Sequence, residues 1–188
     1  MLTEKEAAKI SKFLSLVLRH QPEVIGLILD ENGWADVDEL IAKCNSNGHK
    51  IDFATLKHAV ETNNKKRFSF NDTFDKIRAS QGHSVEIDLG YIATPPPKTL
   101  YHGTATKSVD AILLTGLEKR NRQHVHLSKD IETAAKVGQR HGKVFIFEVD
   151  AGQMQVDGFE FFISENGVWL TDNVPVKYLS KFFDEANG

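Results

Sequence analysis

Apolar residues in the first part of the chain recur at helical spacing. Ile10, Phe13, Leu14, Val17 and Leu18 share one face of a 3.6-residue repeat. Thr3 and Glu6 stand ahead of that run at capping-box spacing, and Gln21-Pro22 ends it. A second helix is predicted from Asp38-Glu39-Leu40-Ile41 to a close at Gly48. A third is predicted from a cap at Asp52 through Leu56 and Val60. The period then shortens. Lys66–Phe70 and Phe74–Arg78, separated by the turn residues Asn71-Asp72, read as a β-hairpin. Three short helices followed by a hairpin suggest a winged-helix arrangement.

The chain then meets Ala93-Thr94-Pro95-Pro96-Pro97-Lys98. Three successive prolines continue neither a helix nor a central strand, so this segment reads as a connector between two lobes, residues 1–93 and 98–188. The second lobe is β-rich. Its candidate strands are Thr99–His102, Val125–Leu127, Val144–Val149, Phe159–Ile163 and Val168–Thr171, the last preceded by the hairpin signal Asn166-Gly167. Two short helices, around Ser108–Leu114 and Ile131–Val137, interrupt them, with Ser128 or Asp130 available to cap the second. The fold class expected is α+β, with no internal repeat.

Composition narrows the function. The 188 residues carry 40% apolar and 26% charged side chains, an ordinary globular balance. No apolar run approaches the ~18 residues that a membrane span needs. The polar, acidic start Met1-Leu2-Thr3-Glu4-Lys5-Glu6 is unlike a signal peptide. A single cysteine, Cys44, allows no intrachain disulfide, which fits a reducing cytoplasm. The net charge is −3, and neither lobe is a basic block, so any contact with nucleic acid must be local. Only six arginines occur, at 19, 67, 78, 120, 122 and 140. Each matters, because the guanidinium is the side chain suited to bidentate phosphate binding.

Several short segments gather Arg, His, Ser, Thr and Gly. Arg19-His20 closes the first helix, where a cation also simply complements the helix dipole. Arg78 with Gln81-Gly82-His83-Ser84 is either a polar turn leaving the hairpin or a phosphate-recognition loop. Tyr101-His102-Gly103-Thr104 ends a strand, and its glycine would let a flat ligand approach the backbone. Val125-His126-Leu127-Ser128 and Gly138-Gln139-Arg140-His141-Gly142 follow, the latter also readable as a flexible loop. No dinucleotide-binding glycine fingerprint, P-loop, GxSxG or HExxH motif is present. His124-x-His126 lacks the companion ligands of a zinc site, so no metal is expected.

In this order, the segments resemble the RNA 2′-phosphotransferase family (tRNA 2′-phosphotransferase, KptA type). The resemblance spans nearly the whole chain. It runs from Ser11–Ser15 and Leu18-Arg19-His20, through Gly33-Trp34-Ala35-Asp36, Lys66-Arg67-Phe68, Ile77-Arg78-Ala79 and Gly82-His83-Ser84. It continues through Leu100–Thr104, His124–Ser128 and Gly138–Gly142 to Asn166–Thr171.

The resemblance implies an N-terminal winged-helix RNA lobe and a C-terminal ADP-ribosyltransferase-like lobe that binds NAD as co-substrate. It implies a two-step reaction. An internal RNA 2′-phosphate attacks the nicotinamide-ribose C1″ of NAD and nicotinamide leaves; ribose O2″ then attacks phosphorus. The products are RNA with a 2′-hydroxyl and ADP-ribose 1″,2″-cyclic phosphate. The family's essential set maps onto Arg19, His20, Arg78 and Arg140, and its NAD contacts onto His102, Gly103, Thr104, His126 and Ser128. The acceptor-activating glutamate of many ADP-ribosyltransferases has no counterpart assigned here: the corresponding segment reads Asn166-Gly167-Val168-Trp169, and nearby Glu165 is not given that role. The expected partners are 2′-phosphorylated RNA and NAD, with no membrane, a cytoplasmic location and an assumed monomer. The competing enzyme reading is an ADP-ribosyltransferase that stops after the first step, on phosphorylated nucleic-acid ends or on protein.

Overall fold

A computed structural model of the chain describes residues 3–182; the side chains of Glu4 and His141 fall outside that description, as do Met1 and Leu2 of the acidic start. The chain divides into two compact units, Met1–Gly90 and Tyr91–Gly188, each with its own apolar core. Both mix helices with small antiparallel sheets.

The first unit opens with α1 (Glu4–Arg19). Its capping box forms as the Thr3–Glu6 spacing predicts: the Thr3 hydroxyl accepts from Glu6 N–H and the Glu6 carboxylate accepts from Thr3 N–H. Leu14, Val17 and Leu18 on its inner face are wholly buried, and burying each stabilises the unit by roughly 2 kcal/mol. Then follow β1 (Ala35–Asp36), α2 (Val37–Ser46) and α3 (Phe53–Glu61). Asp36 caps α2, two residues earlier than the sequence reading started it, and Asp52 caps α3 through Thr55 N–H. Beyond the C-cap Asn47, Gly48 N–H bonds the Asn45 carbonyl and His49 N–H the Cys44 carbonyl, closing α2.

The hairpin strands are β2 (Phe68–Phe70) and β3 (Lys76–Ala79), paired antiparallel with Ser69 opposite Arg78. β1 joins the other side of β3, giving the order β1-β3-β2. The turn is longer than the two residues expected. Residues 71–75 form a loop in which the Asn71 carbonyl accepts from Phe74 N–H and its side chain accepts from Lys76 N–H. Phe74 lies at φ 60°, outside strand geometry, so the second strand starts at Lys76.

The second unit contains β4 (Leu100–Ala105), α4 (Val109–Thr115), β5 (Leu117–Glu118), β6 (Val125–Leu127) and α5 (Ile131–Gly138). β7 (Val144–Val149), α6 (Ala151–Val156), β8 (Phe162–Ile163), β9 (Trp169–Thr171), β10 (Asn173–Val174) and β11 (Leu179–Lys181) complete it. The strands form two three-stranded sheets, β11-β7-β4 and β6-β9-β8, and the pair β10-β5. A bridge between Tyr101 and Ser128 links the two sheets by reciprocal backbone hydrogen bonds of 2.8 Å.

Several differences from the sequence reading concern this unit, among them the short strands β5, β10 and β11, which that reading lacks. α6, capped by Asp150, is absent from that reading because six residues carry too little periodicity to reveal a helix. The expected strand Phe159–Ile163 shrinks to Phe162–Ile163, since Phe159 N–H closes onto the Met154 carbonyl at the end of α6. His102, Gly103 and Thr104 do not end a strand but lie within β4, paired with Phe147, Ile146 and Phe145 of β7. The apolar run of β7 extends the ladder past the glycine.

Candidate functional site

In the first unit, α1 delivers Arg19 and His20 at its C-terminal end. The Arg19 guanidinium donates from Nη2 to the Arg67 carbonyl (3.2 Å) and lies 5.7 Å from the Phe68 ring centre. Arg78 projects from β3, its guanidinium 4.4 Å from the ring centre of Trp34, close enough for a cation–π contact. Gly82, at φ +84°, turns the chain in a conformation that disfavours any other residue. That turn returns His83 and Ser84 to α1. Ser84 N–H donates to the Arg19 carbonyl (2.9 Å), and Ser84 Oγ lies 2.9 Å from His20 Nδ1.

His83 is the centre of this group. It is 1% exposed, and neither ring nitrogen has a hydrogen-bond partner among the described residues. Burial first, then the charges of Arg19, His20 and Arg78, push its pKa from 6.5 down to about 3. All three expected phosphate-binding side chains of this unit therefore act electrostatically on one buried, neutral imidazole. The cluster concentrates positive charge on a chain whose net charge is negative.

A pH prediction follows from that shift. In the unfolded chain His83 titrates near 6.5 and in the folded chain near 3, so unfolding takes up a proton between those values. The stability it contributes is complete above about pH 6.5 and is lost as pH falls toward 3, at roughly 1 kcal/mol per pH unit. Urea unfolding at about pH 7 and about pH 5 should show that slope in the parent protein and a shallower one in His83→Gln. His102 and His124 are also lowered, first by burial, and act in the same direction. An unchanged slope in His83→Gln would contradict the burial argument.

In the second unit, the Tyr101–Ser128 bridge sets His102 on β4 near His126 on β6. His102 Nδ1 lies 3.1 Å from the His126 carbonyl oxygen. That carbonyl only accepts, so Nδ1 carries the proton. His126 Nδ1 in turn lies 3.2 Å from Nη1 of Arg122, a residue without an assigned role in the sequence reading. Ser128 is half-buried at the bridge, and Thr104 is half-buried within β4.

Gly103 and Gly138 have a packing role. A Cβ on Gly103 would fall 1.7 Å from the Ala134 carbonyl oxygen of α5, and one on Gly138 would fall 2.9 Å from the Thr104 carbonyl oxygen. Helix and strand backbones are in direct contact here. Gly138 is accordingly helical rather than part of a flexible loop, and α5 continues into a 3₁₀ turn, Gln139–His141, that exposes Arg140.

Comparison with known proteins decides the family. A model of the RNA 2′-phosphotransferase, Tpt1 / KptA family matches residues 5–173. The chain belongs to the RNA 2′-phosphotransferase family. It is 57% identical to a probable RNA 2′-phosphotransferase of Flavobacterium johnsoniae over 178 residues, covering 95% of this chain and 98% of the relative. A probable RNA 2′-phosphotransferase of Trichormus variabilis is 56% identical over the same length, with the same coverage. One from Pseudomonas syringae pv. tomato is 47% identical over 187 residues, covering 99% of this chain and all of the relative.

The residues expected from the RNA 2′-phosphotransferase resemblance fall into two groups. Arg19, His20 and Arg78 converge in the first unit. His102, Gly103 and Thr104 lie on β4, His126 on β6, Ser128 just past β6 at the bridge to Tyr101, and Arg140 in the 3₁₀ turn after α5, all in the second. The sequence reading placed His83 and Ser84 with Arg78 in a polar turn or phosphate-recognition loop; the structure buries His83 beside Arg19, His20 and Arg78 and sets Ser84 against His20, while Trp34 beneath Arg78 and Arg122 against His126 had no assigned role. Trp34, His83 and Ser84 sat inside segments that carried the resemblance, but spacing gave no sign of what they touch. Among the described residues no group of His, Cys, Asp and Glu could hold a metal ion, and no helix is long and apolar enough to cross a membrane.

Proposed function

We propose that the chain is an NAD-dependent RNA 2′-phosphotransferase that removes an internal RNA 2′-phosphate. The carrying observation is the gathering of Arg19, His20 and Arg78 around buried, neutral His83. A phosphate monoester carries up to two negative charges. Guanidinium groups stay cationic and present paired donors that match its oxygens. In this reading the three α-helices and the β1-β3-β2 sheet form a winged-helix RNA lobe. The second unit, with its two bridged sheets, forms an ADP-ribosyltransferase-like NAD lobe.

The second unit's donor set fits NAD. His102 keeps a lone pair on Nε2 for a ribose hydroxyl, and backbone at Gly103 and hydroxyls at Thr104 and Ser128 suit a nicotinamide carboxamide and ribose. When bound, NAD supplies the ribose C1″ that the phosphate oxygen attacks with loss of nicotinamide, and the neighbouring O2″ that then displaces RNA from phosphorus. Arg19 and Arg78 orient the phosphate and offset its charge, lowering the entropic part of the barrier. His20 holds a further phosphate oxygen through its ring. Arg140 stabilises negative charge on the phosphoryl group as it is transferred. The attacking group is already an anion, so no carboxylate base is required.

A short RNA with one internal 2′-phosphate tests this directly. Incubation with the protein should remove the phosphate only when NAD is present, with nicotinamide and ADP-ribose 1″,2″-cyclic phosphate appearing together in chromatography and mass spectra. RNA that gains ADP-ribose and retains it would replace this reading with a one-step ADP-ribosyltransferase. Loss of phosphate without NAD would overturn NAD dependence.

A further inference from the structure

Arg122 sits at the end of a tightly held turn. Its N–H closes onto the Lys119 carbonyl (3.0 Å), and Arg120 between them adopts a left-handed conformation, φ 52°. The strand before the turn, β5, pairs with β10, and Lys119 Nζ pairs with the Asp172 carboxylate (2.6 Å) between β9 and β10. The strand after it, β6, pairs with β9. The turn is thus tied on both sides, and Arg122 leaves it with Nη1 3.2 Å from Nδ1 of His126.

The chemistry of that contact is one-directional. A guanidinium has only donors and does not lose its proton in a protein. Nδ1 of His126 must therefore be the lone-pair nitrogen, and the hydrogen of the neutral ring resides on Nε2. An imidazolium would direct a second N–H at the guanidinium. His102 is set the opposite way. Its Nδ1 faces the His126 carbonyl, so Nδ1 bears the hydrogen and Nε2 keeps the lone pair. Burial first, against the hydrogen bond to the His126 carbonyl and with the charge of Arg122, lowers the His102 pKa from its ordinary value and so favours the neutral ring.

We propose that Arg122 is a positioning residue that holds His126 as its neutral Nε2–H form, so that His102 and His126 meet their ligand with opposite characters, one accepting and one donating. The ligand half of this proposal rests on the reading that the second unit binds NAD. The nicotinamide ring of oxidised NAD is cationic. A neutral imidazole can stack on it and still donate at its edge, whereas an imidazolium would repel it.

Long-range ¹H–¹⁵N correlation spectra of the ¹⁵N-labelled protein without ligand, well above neutral pH, read the tautomer directly. His126 is expected to show a lone pair on Nδ1. Arg122→Lys, still a donor-only cation, should keep that pattern. Arg122→Glu offers only acceptors and should move the proton to Nδ1. With 2′-phosphorylated RNA as the second substrate, Arg122→Glu should raise KM for NAD about tenfold, the loss of one well-placed hydrogen bond, with kcat at saturating NAD little changed. Arg122→Lys should recover most of that affinity. An unchanged tautomer in Arg122→Glu would overturn the proposal, and so would a changed tautomer with unchanged KM. A protein that shows the tautomer switch but no NAD saturation in any form would overturn the NAD reading, and the ligand half with it.

Discussion

Arg78→Ala is expected to lower turnover of a 2′-phosphorylated RNA by about 10²–10³-fold, the usual cost of removing one preorganised donor from a developing charge. The loss should fall on the reaction more than on folding, because Arg78 is only half-buried and lies over Trp34 without a core role. Arg78→Lys should recover little. An ammonium is a point charge, and it neither stacks on indole as a planar cation nor presents two parallel donors. His20→Ala and Arg140→Ala should also be strongly impaired. His49→Ala and His58→Ala are the controls. His49 stacks on Phe13 (3.6 Å between ring centres), and His58 lies on α3. Both are half-buried but have no role in the cluster, and both variants should keep turnover within about twofold of the parent. Steady-state rates for the five alanine variants decide the matter, and equal losses across all of them would sink the site assignment.

The largest effect on stability is expected from Gly103→Ala. With 1.7 Å between the new Cβ and the Ala134 carbonyl oxygen, either β4 or α5 must move, and the obstacle is backbone on both sides. Overpacking of this kind costs about 3 kcal/mol or more. Gly138→Ala, at 2.9 Å from the Thr104 carbonyl oxygen, should be less damaging. Thermal melts of the two variants should therefore rank Gly103→Ala below Gly138→Ala and both below the parent. A Gly103→Ala protein that melts like the parent but no longer binds NAD would show instead that the glycine serves ligand approach, the reason first suggested by its sequence.

Much of the first unit's architecture was legible from residue order. The apolar faces of α1 and α3, the Thr3–Glu6 capping box and the Asp52 cap depend on neighbours within about one turn, and such local terms survive any tertiary context. The strands Val125–Leu127 and Val144–Val149 appear with the predicted bounds, because short apolar runs bounded by polar residues can hardly be anything else in a β-rich segment. Where local signals compete, the reading erred. The hairpin turn grew to five residues through the Asn71 side chain, and β4 ran through His102-Gly103-Thr104 because β7 offered it a continuous partner.

Residue order was enough for the family, the helices of the first unit and the residue types available for holding a phosphate. How those residues are supported depends on the folded chain. Arg19 and Arg78 stand 59 positions apart in the chain, yet both act on His83. The pairing of Ser84 with His20, of Trp34 with Arg78 and of Arg122 with His126 depends on where a turn returns the backbone, and spacing along the chain does not encode that return. His83 shows the physical reason most plainly. Its place in a polar segment says nothing of its surroundings; burial first, then the charges of Arg19, His20 and Arg78, keep it neutral, and burial is a property of the folded chain alone.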